Sequence, residues 1–196
     1  MKYIDAIKTR RSRYNISRES DLTDKELEQL LKDALLYTPS SFNSHSGRTV
    51  LLLNEHHDKL WSIVMETLRK IVPADKFSAT EEKINSFAAG YGTVLFYEDM
   101  AVVKGLQEKF PLYAENFSMW SNHSAGMLQY VVWTGLAQSG IGASLQHYNP
   151  LIDEEVKKTF NIPDSWKLIA QMPFGKPNGS LDPKTDNIDE HLVVFK

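Results

Sequence analysis

Three short segments carry residue types that could build a ligand site. Arg10-Arg11-Ser12-Arg13 places three guanidinium groups and a hydroxyl within four residues. Arginine offers a planar fork of donors that matches a phosphate, and each charged hydrogen bond contributes about 1.5–3 kcal/mol. A solvated basic surface at a helix end, favoured by the helix dipole, has the same composition. Pro39-Ser40-Ser41-Phe42-Asn43-Ser44-His45 gathers hydroxyls, an amide and an aromatic ring at the exit of a helix. It could hydrogen-bond the polar edge of a heteroaromatic ring while Phe42 forms a wall, or be an ordinary polar loop. Gly140-Ile141-Gly142-Ala143-Ser144 puts glycines where backbone N–H groups could approach a flat ligand, or where a helix simply ends. A dinucleotide fingerprint is excluded: Leu145 stands where the third glycine or alanine belongs, and the stretch leads from helix to strand, the reverse of a Rossmann turn.

The elements that must position these segments follow from hydrophobic periodicity. Tyr3 to Thr9 reads as a short helix running into the arginines. Thr23 and Glu26 form a capping-box signal, and Leu27, Leu30, Leu31, Ala34 and Leu35 recur at helical spacing until Pro39 stops the helix. Leu60 to Ile71 marks another helix closed by Pro73, and a polar helix is expected around Thr80 to Ala89. The proline-free stretch from Met119 to Ser139 predicts a central helix, with Met127, Tyr130, Val131, Thr134 and Ala137 on one face. Strands are expected at Thr49 to Leu53, Gly92 to Tyr97, Ala143 to Gln146 and Trp166 to Met172, with a helix near Glu154 to Phe160. The tail from Gly175 is rich in Pro, Gly and Asp yet ends in Leu192, Val193, Val194 and Phe195, so it needs a surface to pack on, either its own sheet or a partner subunit.

Composition narrows the chemistry. The 25 acidic and 22 basic residues give a net charge of -3, with no overall positive field to draw the chain onto nucleic acid. The chain has no cysteine, which excludes disulfides, thiolate nucleophiles and cysteine-ligated clusters. Redox chemistry would therefore need a borrowed cofactor. No apolar run approaches the roughly 20 residues of a membrane span, and Met1 to Arg13 carries charges where a signal peptide needs an apolar stretch, so the expected location is the cytoplasm. No Gly-x-Ser-x-Gly elbow or P-loop occurs. His56, His57 and Asp58 read as a solvated helix start rather than a metal site, because adjacent helical residues do not face one ligand. Trp61, Trp120, Trp133 and Trp166 read mostly as core, with Trp120 near a helix start where it could line a pocket.

Taken together, in this order and at these separations, the three segments resemble the nitroreductase family, and in particular its branch of fatty-acid-repression-mutant-like bacterial and fungal proteins. Tyr97-Glu98-Asp99, Gln146-His147-Tyr148-Asn149-Pro150 and Phe174-Gly175-Lys176-Pro177 carry the branch, and the resemblance spans nearly the whole chain. It implies an α+β, nitroreductase-like fold: a central, mostly antiparallel sheet surrounded by helices. One domain is expected over residues 1–196, in an intertwined homodimer with FMN at the interface and the tail 175–196 packing on the partner. By resemblance, Arg10, Arg11 and Ser12 hold the FMN phosphate and ribityl groups, and Pro39, Ser40, Ser41 and Asn43 approach the isoalloxazine from the other subunit. The backbone at Ile141 and Gly142 lies by the reactive flavin nitrogen, and Lys184 closes on the phosphate. Many relatives carry a second basic residue where this chain has Tyr14, which leaves Arg13 as the substitute candidate for stabilising the reduced flavin. Phe42, Trp120 and His147 are candidates for the substrate pocket. No side chain is assigned as catalytic, because the flavin carries the chemistry. The implied activity is two-electron, ping-pong reduction of nitroaromatics or quinones with NADH or NADPH as donor. The alternative is a flavin-binding regulatory or sequestering module with little turnover.

Overall fold

The computed structural model describes residues 3–188 and 191–195. Seven helices are described: α1 (Tyr3–Thr9), α2 (Asp24–Tyr37), α3 (Asn54–Arg69), α4 (Phe77–Ala88), α5 (Met100–Lys109), α6 (Ala114–Gln138) and α7 (Asp153–Phe160). With them are five strands, β1 (Ile16–Ser17), β2 (Gly47–Leu53), β3 (Gly92–Asp99), β4 (Gly142–Ala143) and β5 (Trp166–Pro177). The strands form one antiparallel sheet in the order β1-β5-β3-β2, with β4 beside β5. This is the expected α+β architecture, with helices on both faces of the sheet.

The central strand explains the layering. The first seven residues of β3 are all buried, and successive side chains point to opposite faces. Val94 and Phe96 join Leu27, Leu31, Leu128, Val132 and Leu136 in a core under α2 and α6. Leu95 and Tyr97 join Leu60, Trp61, Ile84 and Phe87 under α3 and α4. Burying each of these large side chains contributes about 1.5–3 kcal/mol. The capping box of α2 forms as the sequence predicts: the Thr23 hydroxyl accepts from the Glu26 N–H while the Glu26 carboxylate accepts from the Thr23 N–H at 2.8 Å.

Several expectations need correction. The strand expected over Ala143 to Gln146 is regular only at Gly142–Ala143 and returns as one bridge from Gln146 to Gln171 in the same register, because Pro173 on β5 has no N–H to complete the ladder opposite Ser144, which still donates to its carbonyl at 3.3 Å. Strand β5 continues to Pro177, so Gly175 to Pro177 belong to the sheet, and the segment outside it starts at residue 178. Helix α5 was not anticipated. On α6, Leu128, Val132 and Leu136 face the core, while Met127, Tyr130 and Val131 are exposed. A helix apolar on more than one side gives a periodicity that cannot choose which face turns inward.

His57 is not solvated. Its side chain is buried in a closed network: the Trp61 indole N–H donates to the Thr93 hydroxyl (3.0 Å), and that hydroxyl lies 2.9 Å from His57 Nδ1. His57 Nε2 is 3.1 Å from the Ala88 carbonyl, so it carries the proton, and Thr93 donates to Nδ1. Burial pushes the His57 pKa down, against the smaller upward pull of the Ala88 carbonyl and Asp58. Below the unfolded histidine pKa of about 6.5, the unfolded chain binds a proton that the native state refuses, so stability falls with falling pH until the lower native pKa is reached. We expect wild type to lose about 1.4 kcal/mol per pH unit more than His57→Gln across that window. Denaturant titrations of the two proteins check this, and parallel pH curves would refute it.

Candidate functional site

The cationic segment and the glycine turn meet at the C-terminal end of α6. Gly140 has a φ of 78° and donates to the Ala137 carbonyl, while the Ile141 N–H donates to the Leu136 carbonyl at 2.9 Å, which closes the helix in a Schellman turn. The Ile141 amide is thereby used and its side chain is buried, and Gly142 is paired with Gly175 of β5. The chain then runs beside the arginines: Ser12 bridges Ala143, and the Arg13 N–H donates to the Ala143 carbonyl at 2.9 Å. A Cβ at Gly142 would sit 2.9 Å from Cβ of both Arg13 and Pro177, so only glycine allows this approach.

The cations themselves line a cleft of about 660 Å³, with Lys8, Arg10, Arg11, Arg13, Asp182 and Lys184 among its walls. That volume is within the range of small-ligand sites. Arg10 lies over the Trp133 ring at 4.4 Å and near that of Tyr130, and its buried Nε is without a hydrogen-bond partner among the described residues. Arg11 donates to the Asp182 carbonyl (2.8 Å) and Arg13 to the Gly179 carbonyl (3.2 Å), which folds the start of the tail, and Lys184 with it, back over the corner. Ser12 is exposed beside them.

The Pro39–Asn43 loop lies elsewhere, against the N-terminal half of α6. Ser40 Oγ accepts from the His45 N–H at 2.9 Å, and Phe42, Asn43 and His45 all have φ between 46° and 56°. Such left-handed positions are costly for non-glycine residues and are concentrated in functional loops. The Phe42 ring is half exposed, yet it stands 4.8 Å from Phe110, 5.2 Å from Phe117 and 6.3 Å from Trp120, nearly parallel to the last. Phe110, Tyr113 and Phe117 extend the wall predicted from Phe42 and Trp120. Their spacing with Trp120, at 110, 113, 117 and 120, was visible in the sequence as an aromatic stripe. His147 is exposed on a segment pinned from below by buried Gln171, which accepts from the Tyr148 N–H (2.7 Å).

The two halves do not meet within one chain. Trp120 marks the loop and Trp133 marks Arg10, and 13 residues of α-helix separate them by about 20 Å. Arg10, Arg11, Ser12, Arg13, Gly142 and Lys184 are brought together; Pro39, Ser40, Ser41, Phe42, Asn43 and Trp120 form a second group.

With this geometry in place, residues 7–176 match the Nitroreductase family. The chain belongs to the nitroreductase family. Within it, the chain is 31% identical to the putative nitroreductase HBN1 and 30% identical to the nitroreductase FRM2 of Saccharomyces cerevisiae, each over 93% of this chain and 92% of the relative. The nitroreductase CinD from Lactococcus lactis has been solved in complex with chloramphenicol and with 4-nitrophenol. It is 40% and 41% identical in those two structures, with a TM-score of 0.88 and complete coverage of both chains in each. Nitroreductase architecture is therefore shared over all of this chain. Among the described residues no helix is long and apolar enough to cross a membrane.

Proposed function

We propose that the chain is an FMN-dependent NAD(P)H oxidoreductase of the cytoplasm, a single domain over residues 1–196, that reduces nitroaromatics and quinones as a homodimer. The observation that carries this reading is the cleft in which Lys8, Arg10, Arg11, Arg13 and Lys184 converge with an unpartnered, buried Arg10 Nε. A phosphate monoester fits such a donor set, and the missing dinucleotide fingerprint favours FMN over FAD. Arg10, Arg11, Ser12 and Lys184 would hold the phosphate and ribityl chain, and Gly142 would let the ring approach the backbone where no side chain obstructs it. Arg13 would add positive charge beside the ring. When bound, FMN would supply the two-electron chemistry between nicotinamide and acceptor.

The second group of residues supports a shared site. Because Pro39, Ser40, Ser41 and Asn43 stand about 20 Å from Trp133 along α6, they serve a cleft completed by another copy rather than their own. Apolar surface in the right places agrees with this. Met127, Tyr130 and Val131 on α6 are exposed, as are Leu36 and Tyr37 on α2 and Leu192 to Phe195 in the tail. A helix apolar all round belongs in an interior, and here that interior would be a subunit interface. The nitrobenzene groups of the two CinD ligands suggest the acceptor class, and the shelf of Phe42, Phe110, Tyr113 and Trp120 could stack a planar ring.

Nicotinamide and acceptor would compete for that one shelf. Initial rates should therefore give parallel lines when donor and acceptor are varied together, and intersecting lines would reject the exclusion. The visible spectrum of the purified protein, followed by chromatography of the released chromophore, tests the cofactor. FAD, or no flavin uptake on reconstitution, would reject it. Turnover of NAD(P)H with a nitroaromatic separates an enzyme from a flavin-sequestering module.

A further inference from the structure

Glu98 is the most enclosed charged side chain of β3, 1% exposed, and neither carboxyl oxygen has a hydrogen-bond partner among the described residues. Thr38, at the end of α2, is likewise buried with its hydroxyl unpartnered. Both line a cavity of about 20 Å³ with Ser40, His45, Ser124 and Leu128, directly behind the Pro39–Asn43 loop, which has room for about one water molecule. The charges around it are unbalanced. Arg48 is the cation on the neighbouring strand, and it is committed to Asp99 (2.9 Å) and to the carbonyls of His45 and Gly47. Lys167, the cross-strand neighbour on β5, is exposed and lies with Asp153 on the cavity lined by Tyr97. From α2 and α6 Glu98 meets Leu35, Thr38, Ser124 and Leu128, none of them ionisable, and from the loop it meets His45. One cation therefore serves two acids and binds Asp99.

We propose that Glu98 works as a protonated carboxylic acid that positions the Pro39–Asn43 loop through the cavity it shares with Thr38, Ser40 and Ser124. It is a positioning residue, and its role in turnover rests on the reading of that loop as part of the flavin site. An ionised carboxylate there would be a buried charge without a counter-ion, which is relieved by admitting water and loosening the loop. A neutral acid instead donates one hydrogen bond and accepts others. Ser124 donates to the Trp120 carbonyl and keeps its lone pairs for the cavity, while Ser40 accepts from the His45 N–H and keeps its proton. Such contacts would help to hold the left-handed residues Phe42 and Asn43 of the loop and His45 just after it. Burial, the largest influence, pushes the Glu98 pKa up, as does Asp99, against the downward pull of Ser46 and Arg48, with the Ser46 hydroxyl outside hydrogen-bonding geometry.

Infrared spectra of the purified protein test the protonation. At about pH 7, the carbonyl stretch of a protonated carboxyl should persist in Asp153→Asn, which removes the other carboxyl raised by burial, and vanish in Glu98→Gln. Hydrogen exchange tests the positioning. As pH rises through that titration, the His45 amide of wild type should exchange about tenfold faster than that of Glu98→Gln, which cannot ionise. An ionised Glu98 at neutral pH, or the same exchange course in both proteins, would overturn the proposal. If Glu98→Gln does not fold, the titration of Asp153→Asn alone decides, since the absence of any protonated carboxyl at neutral pH refutes it and its presence supports it. Neither measurement reads flavin, so this proposal and the FMN assignment can fail separately.

Discussion

Arg10→Ala is expected to weaken FMN binding about ten- to hundredfold, the equivalent of about 1.5–3 kcal/mol for one charge-assisted hydrogen bond. Arg10 is singled out because its neighbours are already engaged: Arg11 and Arg13 each donate to a carbonyl of the tail. Arg10 instead rests on the Trp133 ring, which fixes the guanidinium in place before a ligand arrives, and its Nε has no hydrogen-bond partner among the described residues. Preorganisation of this kind lowers the entropic cost of binding. Arg10→Lys keeps the charge and loses the fork, so its affinity should fall between the two. Lys104→Ala is the control, since Lys104 is exposed on α5 with Glu108 at 4.0 Å, and its affinity should equal that of wild type. Flavin titration of the apoproteins measures all three. If Arg10→Ala binds as tightly as Lys104→Ala, the arginines are a solvated surface and the phosphate assignment fails.

Deleting residues 178–196 should convert a dimer into a monomer and lower flavin affinity by at least about tenfold. The deletion leaves β5 whole, because the last sheet residue is Pro177. It removes Leu192, Val193, Val194 and Phe195, which are 62–94% exposed on a single chain, together with Lys184. Exposed apolar segments of this kind mark an interaction surface, and the interface of an obligate homodimer commonly buries more than about 2,000 Å². Light scattering of the intact protein should report twice the chain mass, and the truncated protein half of that. A monomeric full-length protein with complete flavin occupancy would refute both the dimer and the shared site.

Much of the fold could be read directly. The capping box at Thr23 and Glu26, the stop before Pro39 and the helix ending at Gly140 are local signals, governed by residues within one turn of each other, and all three appear in the structure. The resemblance to the family rests on three short segments, each ordinary by itself and specific only in their combination, order and separation. Helix α5 has no start signal of its own in the sequence, because Met100 to Lys109 follows β3 without a loop and its N-cap is Asp99, the last residue of the strand. The burial of His57 is hidden for a different reason. Two adjacent histidines and an aspartate look alike in sequence, whereas the burial of one depends on Trp61, Thr93 and Ala88, the last two more than 30 residues away.

The sequence by itself determined the helix caps, the glycine turn, the absence of thiol chemistry and the three segments through which the chain resembles the nitroreductase family, because each depends on residue type and near-neighbour spacing. Only the tertiary structure decided that Arg10 and Gly142 stand together while the Ser40 loop lies about 20 Å along α6. It also decided that the Ile141 amide is consumed by the helix cap, and that the buried Glu98 carboxyl has no hydrogen-bond partner among the described residues. Those outcomes depend on which face of α6 turns inward and which strand a carboxylate meets. Hydrophobic periodicity fixes that a face is buried, but what it is buried against is settled only when distant parts of the chain compete for the same surface.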